Sequence, residues 1–397
     1  MKVEYASSDR KQAMNGYTLM YDVPLHYEEV LVDGASVSHA GSVQRDMRIG
    51  SSIVRLGLIT DVATSSRHRT SGYSTSCMTR QLQHFKDCGD DVSVVFGISN
   101  FYDRCGYASC FPEHQLTLNT RDAEEAPRLK GYSVREFADG DIDWALQVFN
   151  DNNRRRSATV VRKSGEWLGF VSGLRSGYPP PSFVLERGGS PEAYVSFHRS
   201  TYLEYPNYPA YDEDLQVSEL GLAGHECLST ILNELALRAL ERRLERIILN
   251  IPLDHPIVDF SRKFGAVSAV TYHRNGRGMM RLVNQGTLFQ KLREELQDRV
   301  SRGPVSQGDI EIKTELGITR LEVVGGELSV VEDTARGNNV VELPQSILAQ
   351  LIIGYRSADD VLRDEASTIQ GDPRFLRALF PTSFPKVSLD YAPLDIF

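Results

Sequence analysis

The stretch SSIVRLGLITDVATSSRHRTSGYS, residues 51–74, joins an apolar run to a glycine loop. Its first part is rich in Ile, Val and Leu and reads as a strand. The loop then sets Arg69 three positions before Gly72, with hydroxyl residues around both. Beyond it, TSCMTRQLQHFKDCG has the length of a helix, with Met78, Leu82 and Phe85 spaced for one buried face and Gly89 as a stop. A helix start presents unpaired backbone N–H groups and the positive end of the helix dipole, so it favours anions. A glycine there lets the backbone come close to a ligand, and an arginine just upstream adds charge-assisted bonds to a phosphate. A solvated turn that uses glycine for convenience gives the same pattern, so the surroundings must decide.

Upstream, EEVLVDGASVSHAGSV reads as a hairpin turning at Asp33-Gly34. Downstream, DDVSVVFGIS is a strand and NFYDRCGY a short turn after it. The order hairpin, strand, glycine loop, helix, strand, turn then recurs. FVLERGGSPEAYVSF is a second hairpin at Gly188-Gly189, and DLQVSELGL a strand ending at the Gly221–Gly224 stretch. HECLSTILNELALRALERR is an amphipathic helix with Leu228, Ile231, Leu232, Leu235 and Ala239 on one side, and LERIILNIP is the next strand. FYDRCGY and FSRKFGA repeat phenylalanine, a basic residue and glycine in the same order, the mark of a duplicated domain. The second copy has no arginine three residues before Gly224, and Ser261 and Ala266 replace Tyr102 and Tyr107. Loss of all three together fits a first copy that binds a phosphate-bearing ligand and a second that keeps only the fold.

From about residue 286 the pattern changes. A helix, GTLFQKLREELQDRVSRG, precedes three short strands, and helical stretches start at Pro344, Ser357 and Asp372. Strands followed by helices indicate a separate α+β domain. The expected division is 1–127, 128–285 and 286–397, an α/β (α+β) chain of two mixed-sheet units and a third domain. The final segment, VSLDYAPLDIF, is apolar enough to be expected to dock on another part of the protein.

A net charge of −9 excludes a general nucleic-acid binder, and Arg154-Arg155-Arg156 reads as a solvated loop or helix start. No run approaches the ~18 apolar residues of a membrane span, and the polar N-terminus lacks a secretory pattern, so a cytoplasmic, soluble protein is expected. The five cysteines have no CxxC spacing, and the nine histidines form no HExxH pair, so neither disulfides nor a metal are expected. Cys105 and Cys110 lack a partner histidine in the sequence and read as buried thiols.

The spacing Arg69-x-x-Gly72-x-Ser74 resembles the acyl-CoA pyrophosphate loop of GNAT-family N-acetyltransferases, with Ser74 where that family usually has Gly or Ala. Residues 100–107, NFYDRCGY, resemble the family's second motif on the turn after the next strand. Tandem units with a degenerate second copy and a sterol-carrier-protein-like third domain resemble the Eis acetyltransferase family. LITDVATSS, GMMRLVNQGTLFQKL, GYRSADDVL, ALFPTSFP and a terminal phenylalanine carry this likeness over nearly the whole chain.

The resemblance implies an acetyl-CoA-dependent N-acetyltransferase that acts on a primary amine by direct transfer in a ternary complex, with no metal. It implies that the backbone of Val62, Ala63 and Thr64 holds the pantetheine arm. The loop of Arg69, Thr70, Ser71, Gly72, Tyr73, Ser74 and Thr75 would hold the pyrophosphate, with Asn100 in the second motif. Tyr107 would protonate the departing thiolate, although in the wider superfamily the acid often stands at the position of Tyr102. From the residues alone both tyrosines also read as packing aromatics. The carboxylate of Phe397 would serve as base. A homo-oligomer, trimer or hexamer, is implied as well. A CoA- or lipid-binding sensor without turnover is the alternative.

Overall fold

The computed structural model describes residues 2–10, 24–170, 181–197, 214–331 and 337–381. In chain order, β1 (Val3–Arg10), β2 (Leu25–Val32), β3 (Ala35–Ile49) and β4 (Ser52–Thr64) form an antiparallel series. The β2–β3 hairpin turns at Asp33 and Gly34, both at positive φ (48° and 83°), as a tight two-residue turn requires. Helix α1 (Tyr73–Asp87) returns the chain to β5 (Val92–Gly97), which runs parallel to β4. Met78 and Phe85 of α1 are buried and Leu82 partly so, as their spacing predicts.

The chain then leaves the first sheet. After the two-residue strand β6 (Ala108–Ser109) come β7 (Glu113–Asn119), α2 (Thr120–Glu124), β8 (Tyr132–Glu136) and α3 (Ile142–Asn152). Strands β9 (Ser182–Arg187), β10 (Ser190–Phe197) and β11 (Asp214–Leu222), helix α4 (Leu228–Glu241) and β12 (Arg246–Leu249) repeat the order of β2 to β5, again with a parallel pair, β11 and β12, around the helix. Helix α5 (Pro256–Ser261), β13 (Val267–Thr271) and β14 (Arg277–Leu282) complete this stretch. The two sheets exchange strands. Strand order in the first is β1-β2-β3-β4-β5-β14-β6, and in the second β13-β7-β12-β11-β10-β9-β8.

Helix α6 (Gln285–Ser301) leads into β15 (Gly308–Thr314), β16 (Gly317–Val324), β17 (Glu327–Val331) and β18 (Val340–Glu342). Then come α7 (Gln345–Ile353), α8 (Ala358–Val361), β19 (Thr368–Gln370) and α9 (Arg374–Leu379). The third sheet runs β17-β16-β15-β18-β19. One continuous core joins Val43 and Leu58 of the first sheet to Leu292 of α6, Ile312 of β15 and Ile352 of α7, so the chain from α6 onward packs directly on the face of the first sheet that α1 leaves open.

The arginine triplet after α3 is only partly solvated. Arg154 and Arg155 are exposed, but Arg156 is buried, with Nε 3.1 Å from Asp254 Oδ2 and Nη1 donating to Asn153 at 2.9 Å. The terminal segment expected to dock lies outside the described residues.

Candidate functional site

The site begins where two parallel strands part. Strands β4 and β5 pair from Leu56 with Val92 to Ile59 with Val95. Two residues later Asp61 takes a left-handed conformation, φ 44°, which Asp tolerates better than most residues. On the other side of β4, Gly41 pairs with Thr60 and His39 with Ala63, so Asp61 and Val62 together oppose Ala40. This extra residue is a bulge, and a bulge bends its strand. Strand β4 therefore turns away from β5 and leaves a wedge at the carboxyl ends of both, the place where open α/β sheets bind ligands. Half-buried Val62, Ala63 and Thr64 form one edge of it, and among the described residues no strand pairs with them on the β5 side.

The loop from Ser65 to Gly72 delivers the start of α1 to this wedge. Thr70 (φ 66°) and Gly72 (φ 79°) both turn left-handed. Gly72 is the helix N-cap and has no side chain, so no side chain caps the first turn of α1. Arg69, Thr70, Ser71, Gly72 and Thr75 are exposed, and Tyr73 and Ser74 half-buried. Free N–H groups, the dipole and the Arg69 guanidinium thus share one accessible corner, which suits an anion.

Across the wedge, β5 ends in the turn of the second motif. Asn100 is left-handed (φ 63°), and its Oδ1 accepts from Asn275 Nδ2 at 2.8 Å. Tyr102 is buried flat on Gly97, where an added Cβ would come within 2.1 Å of the ring. Its ring meets that of Tyr107 edge-on, centroids 6.1 Å apart. The Tyr107 hydroxyl is buried 2.7 Å from Ser93 Oγ, and Ser93 donates to Gly57 O at 2.8 Å. With the Ser93 hydrogen so engaged, Tyr107 is the donor of the pair. Burial pushes the Tyr102 phenol up to about 12. Burial raises Tyr107 as well, against the opposing effect of the Ser93 bond. Both phenols therefore hold their protons at neutral pH and are weaker acids than an exposed tyrosine.

The same turn is held from behind. Arg281 Nη1 donates to Cys105 O, and Gln345 Nε2 of α7 donates to Gly106 O at 2.5 Å. The sequence reading missed Asp61, Ser93, Arg281 and Gln345. An aspartate inside an apolar strand run was a signal for the first; single polar residues far along the chain gave none for the others. Burial raises the thiols of Cys105 and Cys110, which makes both weak nucleophiles. Phe397 lies outside the described residues. Among the described residues no group of three or more His, Cys, Asp or Glu could hold a metal ion, and no helix is long and apolar enough to cross a membrane.

Residues 15–110 match the family model of the acetyltransferase (GNAT) domain. No curated protein is significantly similar in sequence. Solved structures resemble the chain over most of its length. A conserved protein of unknown function from Enterococcus faecalis, a probable N-acyltransferase, has a TM-score of 0.68 at 17% identity, covering 92% of this chain and 87% of its own. A GCN5-related N-acetyltransferase from Kribbella flavida has 0.66 at 16%, covering 94% and 87%. Eis1 from Mycobacterium abscessus has 0.61 at 16%, covering 91% and 89%. At these identities the likeness to solved structures is one of fold, while the matched domain is one that uses acetyl-CoA. Residues 15–110 thus carry an acetyltransferase (GNAT) domain around the wedge, and the chain as a whole shares the fold of these solved structures.

Proposed function

We propose that this protein is an acetyl-CoA-dependent N-acetyltransferase that acts on a primary amine, of a small molecule or a lysine side chain, by direct transfer in a ternary complex. The observation that carries this reading is the wedge between β4 and β5 with the uncapped start of α1 at its mouth. Pantetheine would lie along Val62 to Thr64 and complete the unpaired side of β4. The pyrophosphate would rest on Arg69 to Thr75, and Asn100 would stand on the far wall. Tyr107 would give its proton to the departing thiolate, with Tyr102 the alternative donor beside it. The carboxylate of Phe397 would help the ammonium lose a proton. The chain would work in the cytoplasm as a trimer or hexamer, with residues 286–397 as a sterol-carrier-protein-like domain.

Incubation with acetyl-CoA, a panel of polyamines, lysine peptides and aminoglycosides, and a thiol reporter tests this. CoA release is expected only with an acceptor present, and Tyr107→Phe is expected to slow it about 10²–10⁴-fold. Failure to release CoA with any acceptor, together with no CoA binding by calorimetry, would overturn the proposal. Binding without turnover, unaffected by Tyr107→Phe, would favour a CoA- or lipid-binding sensor.

A further inference from the structure

Two cavities outside the wedge gather several cations, and they differ in what those cations face. The larger, about 860 Å³ between α6 and α9, is lined by five arginines. Four of them already meet carboxylates: Arg299 with Glu295 at 3.0 Å, Arg302 with Asp298 at 2.5 Å, Arg374 with Asp372 at 2.6 Å and Arg377 with Asp359 at 2.8 Å. Their charge is neutralised within the protein. The other cavity, about 550 Å³, is a groove along α1, lined on its far side by Arg104 to Gly106 and by Gln345 at the start of α7. Thr75 stands at one end, on the first turn of α1, and Lys86 on the last turn. At about 1.5 Å of rise per residue the groove follows the helix for about 16 Å.

The cations of this groove have no anion. Lys86 and Arg104 are exposed, and neither side chain makes a hydrogen bond or an ion pair among the described residues. Arg281 enters half-buried from β14 and gives its bonds to carbonyls, Nε to Leu282 O at 3.2 Å and Nη1 to Cys105 O. A carbonyl satisfies an N–H but leaves the charge of the guanidinium unmet. Among the described residues Glu315 is the one carboxylate in the lining; it accepts from Gln345 N at 2.9 Å and pairs with none of the three cations. In a chain of net charge −9, such a group makes a local field that attracts anions. The duplicated unit uses the matching cation internally. FSRKFGA sets Lys263 where FYDRCGY has Arg104, and Lys263 Nζ lies 4.3 Å from the Phe260 ring centroid and 5.1 Å from that of Phe264. In the first unit Cys105 replaces Phe264, and Arg104 has no ring contact among the described residues.

We propose that Lys86, Arg104 and Arg281 form a site for a phosphate monoester in this groove. A monoester dianion has three acceptor oxygens, enough for an ammonium and two guanidinium groups at once, and charge-assisted bonds of this kind are the strong ones. The phosphate has two possible sources. The groove opens beside the start of α1, and CoA carries a 3′-phosphate one ribose beyond its pyrophosphate; this source rests on the acetyltransferase reading. The other is a separate phosphate ester bound next to the coenzyme, which does not depend on that reading.

The test is calorimetry with CoA, 3′-dephospho-CoA and adenosine 3′,5′-bisphosphate, on wild type and on the double variant Lys86→Gln with Arg104→Gln. Both side chains are exposed and unbonded, so urea unfolding of the variant should match wild type. If CoA supplies the phosphate, wild type should bind CoA about tenfold more tightly than dephospho-CoA, and the variant should bind the two alike. If a separate ester supplies it, wild type should bind the bisphosphate with dephospho-CoA already saturating, and the variant should bind it about tenfold more weakly. The site is overturned if neither loss is seen, that is, if the preference for CoA and the binding of bisphosphate are each either absent from wild type or kept by the variant. Failure of wild type to bind CoA and dephospho-CoA would instead overturn the acetyltransferase reading. The bisphosphate titration alone, without dephospho-CoA, would then decide the groove.

Discussion

At Gly41 the missing side chain has a steric reason: an added Cβ would lie 2.9 Å from Cε1 of the Tyr27 ring and 3.3 Å from Thr60 O. The aromatic ring cannot yield without lifting its hydroxyl from Asp61. Gly41→Ala is therefore expected to cost about 1–3 kcal/mol in urea unfolding. Tyr27→Phe, which keeps the ring in place, should cost less than the alanine. Asp90 carries a different kind of strain. Burial pushes its carboxyl up to about 6, only partly opposed by the Arg55 guanidinium 3.5 Å away. The folded state thus holds this proton over a range where the unfolded chain has lost it. Stability from this group is present below about pH 4, declines as pH rises to about 6, and stays reduced above it. Asp90→Asn should accordingly stabilise the protein by about 1–3 kcal/mol at pH 7.5 and leave it unchanged at pH 4, as urea melts at the two values would read. An equal gain at both would show that ionisation is not the cause.

Among the elements, α1 and its loop depend on one backbone angle. Nothing lies within 4 Å of a Cβ placed on Gly72, so space does not require the glycine; φ 79° does. Gly72→Ala is expected to cost about 1–2 kcal/mol, while Gly72→Asn, which tolerates left-handed φ, should recover much of it. If the loop holds CoA, calorimetry should show affinity following the same order. This element was legible in sequence because its cues are local: an apolar run, a glycine, and helix-spaced Met78 and Phe85. Strand β1 was not. Its residues alternate between exposed and half-buried with no apolar face, and polar bonds such as Ser7 to Glu28 (2.8 Å) and Arg10 to Glu29 (2.6 Å) hold it to β2. Nor was the bulge at Asp61, because register is set between strands and not along one. The wall residues of the candidate site could be read from local motifs, while the meeting of Tyr27, His39 and Asp61 across three strands could not.

For the whole molecule, the duplication was legible because each copy ends in a glycine turn, and Gly106 (φ 81°) and Gly265 (φ 75°) adopt nearly the same angle. The exchange of β7 and β14 between the sheets was not, since strand partners are chosen by tertiary packing. Helix α7 also reaches the candidate site through contacts that no motif announces. Gln345, 1% exposed at the start of α7, donates to Gly106 O at 2.5 Å and accepts from Leu282 N of β14 at 2.8 Å. Five residues on, Gln350 donates to Ser109 O at 2.9 Å. The turn before Tyr107 is thus clamped to β14 by a side chain more than two hundred residues away in sequence. Gln345→Leu leaves a buried carbonyl and a buried N–H without this partner, which should lower the unfolding free energy by about 2–4 kcal/mol. Gln345→Glu keeps the acceptor for Leu282 N but sets a carboxylate against Gly106 O, so it should disturb the turn at least as much. Hydrogen exchange should then quicken at residues 105–109 in both variants while α1 keeps its protection, because the wedge's other wall does not touch this amide. Faster exchange confined to α7 and the third sheet would mean that the helix only packs there and leaves the turn to hold itself.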